Sequence, residues 1–142
     1  MKKKIMAIVL ALLFLIGIVF GYNSYKNNNE GEKCDKTITI DIYDQDELIG
    51  NVKCNTNAST LGEALIELSE NNQIKLKYSD SDYGMFIEGL GIDNLIEQSG
   101  NKFWVYESDN NESCLKNGFC DAADILEIKD EDHFEFKLSV FE

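Results

Sequence analysis

Four cysteines, one histidine and 26 carboxylates are the residues of this sequence whose types could do chemistry. Cys34, Cys54, Cys114 and Cys120 make an even set, which in an oxidising compartment points to two disulfides. Local turns suggest the pairs. Strand-like runs over 36–43 and 47–54 flank Asp44, Gln45 and Asp46, and a hairpin centred on Asp44 places Cys34 opposite Cys54. Asn117-Gly118 supplies the positive φ of a tight hairpin, which brings Cys114 near Cys120. Zinc binding fits poorly, because no CxxC spacing occurs and His133 is the single imidazole. A nucleophilic cysteine would have His133 alone as its base. That histidine opens a strand-like run among acids, and the spacing reads it as solvated rather than as a metal ligand or half of a catalytic pair. Asp80/Asp82, Asp109/Glu112 and Asp130/Glu131/Asp132 invite a calcium reading, but the EF-hand ligand series that starts at Asp80 breaks at Gly84 and Met85. There is no phosphate-cradling glycine loop and no nucleophile elbow. Neither an enzyme nor a resident metal is expected.

The 142 residues carry a net charge of −13, and every basic side chain is lysine. A body so acidic repels phosphate backbones, which excludes nucleic-acid binding. Lys2, Lys3 and Lys4 precede an unbroken apolar run from Ile5 to Gly21. Residues 1–22 therefore read either as a cleaved secretory signal or as an N-terminal transmembrane anchor; the length of the run fits both. Either way the lysines stay inside and the rest lies outside, secreted or membrane-anchored, in agreement with the cysteine count. Residues 23–35, polar and Asn-rich, read as a tether, and residues 36–142 as one domain.

The elements that must position these groups follow from periodicity. Ile38, Ile40 and Ile42 alternate with polar residues, a strand with one buried face. Thr60 with Glu63 forms a capping box, and Leu61, Ala64, Leu65 and Leu68 share the inner face of the helix that ends at Asn71-Asn72. Further strands are expected over 74–78, 83–92 and 102–108. The last strand is expected to turn Phe134, Phe136, Leu138 and Val140 inward and His133 outward. The reading is an α+β fold: a β-grasp-like mixed sheet, one helix packed on one face, and two disulfides.

The runs YGMFIEGLGI, KFWVYES and NGFCDAADILEIKDEDHFEFKL resemble, in order, the transcobalamin-like C-terminal β-grasp domain of exported bacterial proteins. The resemblance spans residues 36–142. Its glycine turn falls on Gly84, Phe86, Ile87 and Gly91, its aromatic-Trp strand on Phe103 and Trp104, its later turn on Gly118, and its terminal D-G-D on Asp130 and Asp132. Glu131 stands where that last motif has glycine. The resemblance implies an extracytoplasmic ligand-binding module, with a corrinoid (a cobalamin-like molecule) as candidate ligand. In the animal transporters this domain closes against a helical one that this chain does not contain. Binding would then use one open surface, a dimer or a partner chain.

On the strand 102–108, Trp104 and Tyr106 project to one face and Phe103 and Val105 to the other. The helix covers only one face, so one pair is left on a polar surface as a platform for a planar ligand. The resemblance favours Trp104 and Tyr106 as that platform, joined by Gly118, Phe119, Tyr83, Gly84 and Phe86; burial of Trp104 in the core is the alternative. A cell-surface module that docks a protein rather than a small molecule is the competing function.

Overall fold

The computed structural model describes residues 34–142; residues 1–22, read as a signal or anchor, and residues 23–33 of the expected tether lie outside the described residues. In chain order the elements are β1 (Lys36–Asp44), β2 (Glu47–Thr56), α1 (Leu61–Glu70), β3 (Lys75–Ser81), β4 (Gly84–Gly91), β5 (Ile96–Glu97), β6 (Lys102–Glu107), α2 (Glu112–Asn117) and β7 (His133–Val140). They form two sheets, β2-β1-β7-β6 and β3-β4-β5. The expected α+β class holds, but the single sheet becomes two and a second, short helix is added.

Period-two patterning builds the first sheet. Ile38, Ile40 and Ile42 are fully buried, as are Phe134 and Phe136 of the parallel neighbour β7, and each such side chain contributes about 1.5–3 kcal/mol. Val140, expected inward, is 46% exposed at the end of β7. The α1 helix buries Leu61, Ala64, Leu65 and Leu68, and the capping box of Thr60 and Glu63 is present. Two of its first-turn N–H groups are satisfied from outside: Leu61 N donates to Leu126 O at 2.9 Å and Gly62 N to Ala123 O at 2.7 Å. The long segment after α2 thus clasps the start of α1.

One disulfide is formed, Cys114–Cys120, with Cα atoms 4.3 Å apart. The turn that closes it is not the expected hairpin. Residues 112–117 wind into α2, Asn111 caps its N-terminus, and Gly118 ends it at φ 78. The expected Cys34–Cys54 bridge is absent. The β1–β2 hairpin turns on Gln45 and Asp46, with Gln45 at φ 55, and a bulge at Ile42/Tyr43 shifts the register further. Cys54 therefore faces Ile38, while Lys36, the first residue of β1, already pairs with Thr56. The Cys54 thiol lies in the core, where burial, then Glu67 and Cys34, push its pKa up to about 11.

Candidate functional site

The end of β6 and the disulfide-closed α2 turn face each other across an open cleft of about 390 Å³. Its lining comes from Tyr106, Glu107 and Ser108 on one side and from Cys114, Leu115, Gly118, Phe119 and Cys120 on the other. Buried polar bonds place α2 there. Asn111, 2% exposed, accepts from Cys114 N at 3.1 Å through Oδ1. Its Nδ2 donates to Asp132 Oδ2 at 2.7 Å and to Glu127 O at 3.0 Å. Asp132, 5% exposed, also accepts from Lys129 N at 2.9 Å. A buried carboxylate is tolerated only when so satisfied, and here it ties the helix to the start of β7. Ser108 adds a second tie, accepting from Asn111 N at 2.9 Å and donating to His133 O.

Tyr106 forms the floor. Its ring stacks on Phe136 with centroids 5.0 Å apart, and its hydroxyl donates to Asp121 O at 2.7 Å. Burial, aided by Asp124 and Asp121, pushes the phenol pKa up to about 12, so the cleft presents it protonated. Leu115 and Phe119 form exposed apolar walls, 59% and 65% accessible. Glu107 and Ser108 supply the polar rim. Such a surface can grip a flat or apolar molecule by dispersion and orient it through a few hydrogen bonds. The sulfurs here are tied up in the disulfide and offer no nucleophile.

Of the seven residues read from the sequence as ligand-facing, Tyr106, Gly118 and Phe119 meet in this cleft. Trp104 does not. It is 5% exposed, and its indole N–H donates to Ile96 O at 2.8 Å, so it is core. The outward pair of β6 is Phe103, set edge-on against Phe141 with centroids 5.9 Å apart, and Val105. Gly84, at φ 102, seats the β4 turn against the 120–124 segment: a Cβ there would lie 2.6 Å from both Ala122 Cβ and Asp124 Oδ1. Tyr83 is 94% exposed on that turn, and Phe86 stands on the outer side of β4; neither lines the cleft. Leu115 is a cleft residue the sequence reading did not single out, and Asn111, which reads as part of a turn, caps α2, a role its residue type favours.

His133 is more enclosed than a solvated histidine. Its Nε2 lies 2.8 Å from Asp41 Oδ2 and its Nδ1 3.3 Å from Asp109 Oδ1. Burial works against its charged form, but the two carboxylates outweigh burial and hold its pKa above the usual value.

No family model and no curated protein matches the sequence. Solved structures do. A "putative metal binding protein" from Ruminococcus gnavus aligns over 75% of this chain and 99% of its own, at TM-score 0.54 and 22% identity. Haptocorrin in complex with Cbi aligns over 80% of this chain at TM-score 0.53 and 13% identity. The match spans 27% of the haptocorrin chain. At these identities the likeness is one of fold: the described residues share an architecture with a part of haptocorrin and with almost the whole of the Ruminococcus gnavus protein.

Proposed function

We propose that the chain is an extracytoplasmic module, secreted or held at the membrane by its N-terminal segment, that captures a small molecule and catalyses no reaction. The observation that carries this reading is the cleft, where Leu115 and Phe119 stand exposed over a protonated, immobilised Tyr106 and a disulfide holds the wall in place. A corrinoid is the candidate ligand. The ordered motifs of the sequence and the fold shared with haptocorrin support it. The cleft is too small to enclose such a molecule, so it grips one edge and leaves the rest to a second surface, a dimer mate or a partner chain.

Calorimetric titration of the oxidised full chain in mild detergent, with cobalamin and with a corrinoid lacking the lower base, tests this. The expected result is saturable binding that weakens about tenfold in Phe119→Ala and Leu115→Ala, roughly the loss of one well-buried apolar contact, with the melting temperature unchanged. A flat titration with both ligands sinks the corrinoid assignment. If crosslinking on intact cells then recovers a protein through Phe119, the exposed Leu115, Phe119 and Ile125 serve a protein partner instead.

A further inference from the structure

The outer face of the four-stranded sheet holds an arrangement of which the ligand-capture reading uses only Glu107, at the cleft rim. In register, Asn51 of β2 pairs with Asp41 of β1, Asp41 with Glu135 of β7, and Glu135 with Glu107 of β6. Three carboxylates thus stand side by side across three adjacent strands spaced about 4.8 Å apart. Like charges placed directly opposite destabilise a sheet, so this row costs the fold stability unless something neutralises it. Lys137 on β7 directs its ammonium to Asp46 Oδ1 at 2.7 Å and offsets Glu107 and Glu135 only through space, since none of the described ion pairs includes either glutamate.

His133 sits two residues before Glu135 on the same face of β7. Single donor atoms of Asp41, His133 and Glu135 lie within 4.8 Å of one another, and all three residues are half-buried. Asn51 Nδ2 donates to Asp41 Oδ1 at 2.5 Å, which leaves Oδ2 directed at the imidazole Nε2. On the far side of the ring, Nδ1 is 3.3 Å from the Asp109 carboxylate, the outer-shell partner that metal-bound histidines usually have.

We propose that Asp41, His133 and Glu135 form a binding site for one divalent first-row transition cation of the zinc, cobalt or nickel type. The donor set decides the class. One imidazole nitrogen with two carboxylate oxygens suits these borderline ions, whereas calcium takes six to eight oxygens and magnesium keeps most of its water. Three protein ligands leave one or more positions for water or for an incoming ligand. On binding, the cation takes the place of the Nε2 proton between the ring and Asp41, and that proton goes to solvent. Glu107, next in the row, adds charge without coordinating.

Cobalt(II) titrated into the metal-stripped full chain in detergent, with excess magnesium present, tests the assignment. One equivalent should bind with a visible d–d absorption and no thiolate-to-cobalt charge-transfer band, which separates this site from Cys34 and Cys54. His133→Gln, Asp41→Asn and Glu135→Gln should each weaken binding about tenfold or more, and Glu107→Gln only about twofold. In the unmutated chain, the first amide resonances broadened by cobalt should be those of residues 39–43 and 133–137, a readout independent of how any variant folds. Lack of saturation at millimolar cobalt, a dominant thiolate band, broadening centred elsewhere, or equal competition by magnesium would each overturn the site.

Discussion

The two faces of the four-stranded sheet are made by alternate residues of the same strands, yet they do opposite work. Inward, Ile38, Ile40, Ile42, Phe134, Phe136 and Trp104 are sealed from water under α1 and the second sheet. Outward, the same strands show Asp41, Glu107, Glu135, His133 and the half-exposed Phe103 and Val105. Between them, at one edge, Tyr106 belongs to both worlds, with a ring packed on Phe136 and a side open to the cleft. The contrast teaches that stability and recognition are separable here by a step of one residue along a strand.

The strongest way to break that contrast is to truncate adjacent aromatics. Trp104→Ala should cost about 3–5 kcal/mol in urea unfolding, whereas Phe103→Ala should cost under about 1 kcal/mol. Equal losses would mean that the two faces are not energetically distinct. Next in size, reduction of Cys114–Cys120, which closes a short ring of chain, should lower stability by about 2 kcal/mol and loosen the cleft wall. Differential scanning with and without reductant measures it. Tyr106 sharpens the boundary case. Its folded pKa of about 12 exceeds the ordinary value of 10.0, so the neutral phenol is the stabilised form. That stability is complete below pH 10 and is lost as pH rises through about 12. Ultraviolet titration should show one tyrosine ionising late, and Tyr106→Phe should abolish that step while costing about 1–2 kcal/mol through the orphaned Asp121 carbonyl. The smallest effect is a gain. Glu131 holds φ 68 in the turn before β7, and Glu131→Gly should raise stability by up to about 1 kcal/mol.

Much of the inner face could be read from residues alone, because Ile38-x-Ile40-x-Ile42 and Phe134-x-Phe136-x-Leu138 each have one apolar parity. The α1 helix was equally legible from Thr60 and Glu63. The strand Phe103-Trp104-Val105-Tyr106 has apolar residues at both parities, so periodicity could not choose its buried side, and burial goes to the larger Trp104. The Cys34–Cys54 pairing failed for a different reason: a bulge and a turn displaced onto Gln45-Asp46 change the register without altering the hydrophobic pattern. Of the eight residues that line the cleft, Tyr106, Gly118 and Phe119 were legible as ligand-facing. The outer-face row was not, because its members are distant in sequence and meet only through the β1–β7 and β6–β7 registers.

That β1–β7 ladder has a kinetic consequence. It joins Thr39 to His133 and Asp44 to Leu138, so the two central strands of the first sheet come from opposite ends of the described residues. A parallel pairing of such long sequence separation closes late and slowly, because the loop between its partners must be ordered before any contact rewards it. As the chain is made from its N-terminus, β1 and β2 emerge as a lone hairpin, marginal in water, and wait for almost the whole domain before β7 can slot between β1 and β6. Until then the flanks of β1 and β6 are bare edges prone to pair with other chains. Premature release upstream of His133 would therefore yield an aggregating fragment rather than a loosened version of the fold.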